Sequence, residues 1–301
     1  MISWLCPSRG RPELAMTLLN SLTDNQFYDN QLLFYLQSDD DRLDEYISNF
    51  KKIGYKEYVI GPYYRMQSLL WERLMPYVRC DYMGLIGDDV FCHTKNWDQI
   101  LYNKLSQYDD NIVVGAANMY TPKLHIEKIK NNTFRYMDNC HPIIHRKWFD
   151  TLGFFHNPIF PGACGDDWVL FLGQILGRYE FCPNVYLEHY SYTRGRVEDK
   201  TTDSQKMGIL LTPRDTIAYV PIKYNVWLEQ SLYIWDRAKR WFISDLEALN
   251  AEMSNPLTRE ELVSRTEDQK DLTKTWWGRV RWNMPLKEQN KYYAELRYAN
   301  A

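Results

Sequence analysis

The chain has 301 residues, enough for one large domain or a domain with an extension, and 45% of them are hydrophobic against 25% charged. With only 14 Gly and 13 Pro, that balance excludes intrinsic disorder and collagen-like or low-complexity chains. The net charge of -3 gives no global attraction to nucleic acid or to an anionic membrane, although a local basic patch can sit beneath a near-neutral total. The longest apolar segment, around Trp168 to Gly177, is shorter than the ~20 residues that cross a bilayer, so no membrane span is expected. The start, Met1-Ile2-Ser3-Trp4-Leu5-Cys6, has no basic region and no long apolar stretch, which makes a cytoplasmic location the default expectation. Cys6, Cys80, Cys92, Cys140, Cys164 and Cys182 include no CxxC pair and read as buried thiols, not as a zinc ribbon or a disulfide scaffold.

Along the chain, apolar runs alternate with helical periodicity. Ile2 to Cys6 reads as a strand, Pro7-Ser8-Arg9-Gly10-Arg11-Pro12 as a loop, and Leu14, Leu18, Leu19 and Leu22 as a helix face. A second strand, Leu32 to Leu36, stops at Ser38-Asp39-Asp40-Asp41, and a helix covers Leu43 to Phe50. Tyr58 to Ile60 precedes Gly61-Pro62, a helix spans Met66 to Val78, and Tyr82 to Ile86 is a fourth strand ended by Gly87-Asp88-Asp89. Repeated βα units imply an α/β, mostly parallel sheet with helices on both faces. From Asn111 onward the rhythm loosens: a strand at Ile112 to Ala116, a helix after His145, a Gly162-Ala163-Cys164-Gly165-Asp166-Asp167 loop entering a helix at Trp168, and a strand at Val185 to His189. Residues 206–301, rich in Trp and carrying a capping-box signature at Thr258 and Glu261, read as a C-terminal helical extension of a 1–205 domain.

In open α/β sheets ligands bind at the carboxyl ends of the strands, and here those ends are acidic. Asp39, Asp40 and Asp41 follow the second strand, and Asp88 and Asp89 the fourth. Converging carboxylates repel one another unless a cation neutralises them, and hard oxygen ligands beside a phosphate suit Mg2+ or Mn2+. Taken singly, Asp41 and Asp98 read as helix caps. Two adjacent acids cannot both cap one helix, so the Asp88-Asp89 pair reads as functional.

The order strand-Pro-Ser-Arg-Gly-Arg, strand-Ser-Asp-Asp-Asp, then Met83-Gly84-Leu85-Ile86-Gly87-Asp88-Asp89-Val90 resembles the GT-A fold of nucleotide-sugar-dependent glycosyltransferases, of the inverting, family-2-like kind, over roughly residues 1 to 205. The resemblance implies that Pro7, Ser8, Arg9 and Arg11 line the nucleotide and that Asp39 or Asp40 faces base or ribose. It implies further that Asp88 sits near the ribose and Asp89 on a Mn2+ or Mg2+ ion that carries the sugar diphosphate of a nucleotide-sugar donor, UDP-sugar foremost. Val90 departs from a strict DXD, which leaves Asp89 as the direct carboxylate ligand. His189 matches a further metal ligand of such enzymes, Asp166 or Asp167 the general base for an acceptor hydroxyl, and Arg194 and Arg196 a loop that closes on diphosphate. Arg65 is a further candidate for the nucleotide. The acceptor class stays open among glycan, protein, metabolite and modified nucleic-acid base. Two other readings compete: a glycan- or partner-binding module without turnover, and a sugar-1-phosphate nucleotidyltransferase, whose glycine-rich G-x-G-T-R-type first loop is poorly matched by Pro7-Ser8-Arg9-Gly10-Arg11-Pro12.

Overall fold

The computed structural model describes residues 1–64, 67–120, 141–157, 160, 165–189, 207–211, 217–221 and 239–268. Strand β1 (Ile2–Ser8) is the apolar run at the start of the chain, and every residue in it except Pro7 is buried. Burial on both faces marks a central strand of a parallel sheet. β2 (Gln31–Gln37) is buried throughout as well, while β3 (Tyr58–Gly61) lies at the edge and is only half-buried. β4 (Tyr82–Leu85) completes the first set. These strands pair in parallel in the order β3-β2-β1-β4 and are joined by α1 (Pro12–Thr23), α2 (Leu43–Lys52) and α3 (Gln67–Leu74). The chain runs outward from β1 to β3 on one side and returns to β4 on the other. Strand order therefore reverses between β1 and β4, the position at which open α/β sheets form their ligand crevice.

Beyond β4 the sheet continues through β7 (Pro142–His145), β6 (Val114–Tyr120), β8 (Tyr179–His189) and β5 (Val90–Cys92). β6 and β8 pair in parallel, whereas β4–β7, β6–β7 and β5–β8 pair antiparallel. The expected mostly parallel sheet is parallel through its first half, and the pairing becomes mixed in the second, where the sequence rhythm loosens. β5 and β7 have 3 and 4 residues, too short for a readable period, and the sequence reading does not contain them. β9 (Met207–Leu211) and β10 (Ile217–Pro221) form a separate antiparallel hairpin.

Alternation along the strands sends side chains to two cores. Trp4, Cys6, Phe34, Leu36, Tyr82 and Ile86 face α1, α2 and α4 (Trp97–Leu105). Leu5, Leu33, Tyr35, Met83 and Leu85 face the other layer, made by α3, α5 (Arg146–Leu152), α6 (Gly165–Ile175) and the C-terminal α7 (Lys239–Ala251) and α8 (Arg259–Asp268). Phe242, Leu246, Leu249, Met253 and Leu262 are buried in this second core. At about 1.5–3 kcal/mol for each buried large apolar side chain, they are a substantial part of its stabilisation. Cys6, Cys80, Cys92 and Cys182 are buried free thiols, while Cys140 and Cys164 lie outside the described residues. Among the described residues, no helix is long and apolar enough to cross a membrane.

Neither single aspartate read as a cap is one. Asp98 is wholly buried and accepts hydrogen bonds from Phe27 N (2.8 Å), Tyr28 N (2.6 Å) and Asn30 Nδ2 (2.6 Å), tying α4 to the segment that leads into β2. The cap positions of α4 and α2 are Asn96 and Arg42 instead, and neither uses its side chain as a cap.

Candidate active site

The loop after β1 is pinned from the neighbouring strand and helix. Gly10 takes the left-handed backbone (φ 68°) that a side-chain-bearing residue would resist, and its N–H donates to Asp40 Oδ2 at 2.7 Å. Asp40 also accepts from Arg42 N at 3.0 Å, so its carboxylate fastens two loops and is nearly buried. Tyr46, on the inner face of α2, accepts from Arg11 N (2.8 Å) and shares a 2.7 Å hydrogen bond with Ser8 Oγ. Arg9 turns toward β2, where it donates to Gln37 Oε1 (2.8 Å) and to Asp39 Oδ1 (2.6 Å), with its guanidinium 5.1 Å from the centre of the Tyr63 ring. Arg9, Asp39 and Tyr63 make a flat, charged rim. Pro7 is the next-to-last residue of β1, level with Tyr35 of β2.

At the β1–β4 reversal, two adjacent carboxylates have opposite surroundings. Asp88 has no exposed side-chain surface; it accepts from Ser8 Oγ at 2.5 Å and from Arg11 Nε at 3.2 Å, and Arg11 Nη2 lies 2.6 Å from its other oxygen. Burial pushes its carboxyl up to about 6, against the pull of Arg11 and the Ser8 hydrogen bond, and with a further push from Asp89. Asp89 is also strongly buried, which favours its neutral form. The hydrogen bond from His189 and the positive charges of His189, Arg11 and His141 outweigh burial and hold its carboxyl well below the usual carboxylate range. His189 Nε2 is 3.3 Å from Asp89 Oδ1, and Arg11 Nη1 is 3.8 Å from Asp89 Oδ2. Asp88 is therefore the anchor of Arg11 and Ser8, and Asp89 is the carboxylate turned to two histidines.

Topology explains the meeting. Val90 pairs with His189 in the β5–β8 ladder, so Asp89, one residue earlier, lies beside the end of β8. His141 immediately precedes β7, and because β7 runs antiparallel to β4 with Ile143 opposite Gly84, His141 arrives at the carboxyl end of β4. It is 8% exposed, and its ring centre stands 5.4 Å from that of His189 at 69°. Gly87 leaves room here: a Cβ on it would meet Asp89 Oδ1 at 2.5 Å and His141 Cε1 at 3.8 Å. One carboxylate and a neighbouring imidazole beside a backbone without a side chain fit a divalent cation that also takes phosphate oxygens. Among the described residues, no three His, Cys, Asp or Glu side chains already stand as a metal-binding group.

The second acidic pair opens α6. Asp166 is half-buried there, and the side chain of Asp167 lies outside the described structure. This helix start is tightly set. His156 is 2% exposed, its ring is 4.9 Å from that of Trp71, and it lies so close to Gly165 that a Cβ would meet the ring at 1.9 Å. Burial lowers the His156 pKa to about 3, so the ring is neutral. Next to the pair, Trp168 Nε1 donates to Asp245 of α7 at 2.9 Å, and its ring meets Phe242 edge-on at 5.0 Å. Arg65, Arg194 and Arg196 lie outside the described residues.

The structure thus joins Ser8, Arg11, Asp88, Asp89 and His189 in one chain of contacts, puts Arg9 with Asp39 at its rim, and uses Asp40 to hold the loop. The sequence reading did not contain Tyr46, Tyr63 or His141. Tyr46 is signalled by its i, i+4 spacing to Phe50, both buried on one face of α2. His141 carries no local signal, because only the antiparallel return of β7 brings it to β4.

No family model and no curated protein matches the sequence. Solved structures do match in fold. A mannosyltransferase from Pyrobaculum calidifontis, PcManGT, in complex with GDP-Man and Mn2+, is 12% identical, with a TM-score of 0.50 over 93% of this chain and 82% of the other. Residues 1–349 of S. aureus TarS match at a TM-score of 0.60 in the complex with UDP-GlcNAc, with 10% identity over 97% of this chain and 78% of that one. The complex of the same protein with UDP matches at 0.52 and 9% identity, over 97% and 77% of the two chains. At such identities the likeness is one of architecture: this chain shares the fold of these structures.

Proposed function

We propose that the protein is a metal-dependent glycosyltransferase of the GT-A type that moves a sugar from a nucleotide diphosphate sugar, a UDP-sugar foremost, to an acceptor hydroxyl. The observation that carries this reading is the Ser8–Arg11–Asp88–Asp89–His189 chain of contacts at the point where strand order reverses. The fold neighbours support it, since their complexes hold GDP-Man or UDP-GlcNAc. In this reading Asp89 and His189 hold a Mn2+ or Mg2+ ion, which when bound supplies positive charge against the departing diphosphate. Arg11 is kept in place by Asp88 and Ser8 and adds a fixed cation beside that charge, an arrangement that costs no reorganisation during the reaction. Arg9, braced by Asp39 and stacked on Tyr63, offers a flat surface to the nucleoside.

Asp166 or Asp167 at the start of α6 takes the proton of the acceptor hydroxyl as it attacks the anomeric carbon, and attack opposite the leaving group inverts that centre. Arg65, Arg194 and Arg196 are proposed to contact the nucleotide sugar. The role of the C-terminal segment is to complete the core beneath α6, so that the base helix is fixed from behind. The test is direct: with Mn2+ present, Asp89→Asn lowers nucleotide release from its sugar donor by at least about a hundredfold while the melting curve stays cooperative. Wild-type turnover in that variant would contradict the reading.

A further inference from the structure

We infer that Tyr46 is a positioning residue of the site: through Ser8 and Asp88 it fixes the guanidinium of Arg11, although it touches no substrate itself. The inference rests on the reading that Arg11 acts beside a diphosphate, and it adds the residue that sets Arg11 in place. Tyr46 is 1% exposed and packs beside Phe50 on α2, with 6.3 Å between the ring centres. Two successive turns of that helix grip a single peptide unit. Arg42, at the helix start, donates from Nη1 to Gly10 O at 3.3 Å, and Tyr46, four residues on, accepts from Arg11 N at 2.8 Å. The carbonyl and the N–H of the Gly10–Arg11 peptide are thus both held from one face of α2.

The order of the hydrogens follows from what each group can do. The Asp88 carboxylate only accepts, so Ser8 gives its one hydrogen to Asp88 Oδ2 at 2.5 Å. Ser8 then has only lone pairs for Tyr46, 2.7 Å away, and the phenol is the donor between them. Burial, with the charge of Asp88, raises the phenol well above its ordinary pKa of 10.0, so that hydrogen stays in place. The chain therefore runs one way, from Arg11 N–H to Tyr46 to Ser8 to Asp88. It closes into a ring because Nε and Nη2 of the same Arg11 lie 3.2 and 2.6 Å from the two oxygens of Asp88. In such a ring each hydrogen bond polarises the next. Packing accounts for the aromatic body of Tyr46 against Phe50. It does not account for a hydroxyl tied, through two further groups, to a guanidinium whose side chain stays 23% exposed at the reversal of strand order.

The test reads Arg11 directly in the full chain. Exchange of its Nε–H with solvent, followed by nitrogen-15 resonance of arginine-labelled protein, is expected to quicken at least about tenfold in Tyr46→Phe, which keeps the ring and loses the hydroxyl. The Nε–H of Arg178, paired with Asp110 elsewhere in the fold, is expected to stay unchanged and separates a local effect from general loosening. Ser8→Ala cuts the same hydrogen-bonded ring at the next link and is expected to quicken Arg11 exchange in the same way, which carries the test if Tyr46→Phe does not fold. Calorimetry then uses UDP with Mn2+ as probe, or GDP where UDP does not bind. Tyr46→Phe and Arg11→Gln are each expected to weaken binding about tenfold, and the double variant no more than about twofold beyond Arg11→Gln alone. Unchanged Arg11 exchange, or full additivity in the double variant, would overturn the role of Tyr46 and leave the reading of Arg11 standing. Wild-type nucleotide affinity in Arg11→Gln, or failure of UDP and GDP alike to bind the wild-type chain, would overturn both.

Discussion

The two faces of the sheet are covered by different parts of the chain. On one face α1, α2 and α4 come from the first hundred or so residues and lie over Trp4, Phe34, Leu36 and Tyr82, with α1 also packing on β5 and α4 on β8. On the other, α3 and α5 share the surface with α6, α7 and α8, and Leu246 and Leu249 reach the same core as Leu5 and Leu33. The second face is therefore closed only when the end of the chain returns to it. Asp166 and Asp167, the proposed base candidates, stand on α6 of this second face, whereas Arg11, the partner of Asp88, stands at the N-cap of α1 on the first.

Removing the late layer breaks this comparison most severely. Phe242, Leu246, Leu249, Met253 and Leu262 leave together in a chain that stops at residue 205. At about 1.5–3 kcal/mol each, their loss approaches the entire net stability of ~5–15 kcal/mol expected of a domain. The 1–205 chain is thus expected to lose its cooperative melt by circular dichroism, and a sharp transition there would show the tail to be dispensable. A finer version sets one leucine against another. Leu249 of α7 and Leu18 of α1 are both 0% exposed, so Leu249→Ala and Leu18→Ala should each cost about 2–5 kcal/mol in urea unfolding. A Leu249→Ala cost near zero would mean that α7 merely leans on the domain.

The smallest effect concerns pH. Burial keeps His156 neutral, with its pKa near 3, while the unfolded chain binds a proton at about 6.5. Because the unfolded state binds more protons between these values, the stability present above pH 6.5 is lost as pH falls toward 3. Asp88, raised to about 6, acts in the opposite sense and loses stability as pH rises through that value, so wild type alone does not isolate the histidine. His156→Phe does: from pH 6.5 to 5 it should lose about 2 kcal/mol less stability than wild type. Identical pH profiles for the two proteins would refute a neutral, buried His156.

The N-terminal half was legible because its signals are local. Apolar runs ending in Ser-Asp-Asp-Asp or Gly-Asp-Asp mark parallel strands and their loops, and β1 to β4 lie within a few residues of the expected positions. The capping box was legible for the same reason: Thr258 N donates to Glu261 Oε2 at 2.7 Å, and Glu261 N to Thr258 Oγ1 at 3.2 Å. What escaped depends on distance along the chain. Asp88 was expected near a ribose, yet it is engaged by Ser8 and Arg11 from 80 and 77 residues away. Asp98 looks like any capping aspartate until the turn at Phe27 and Tyr28 folds back onto it. His141 precedes a strand of 4 residues whose direction no periodicity reveals. The hairpin of β9 and β10 sits in a stretch whose tryptophans read as helical.

The central claim is the proposal that Asp89 and His189 hold a cation that binds together with a nucleotide diphosphate. Melting temperature measured with UDP or GDP, with and without Mn2+, on wild type and Asp89→Asn tests it most directly. The account predicts stabilisation by one of these nucleotides only when Mn2+ is present, by about 2.7 kcal/mol at a hundredfold excess over its Kd, and none in Asp89→Asn. Equal stabilisation in the variant, or in wild type with the metal chelated, would contradict it.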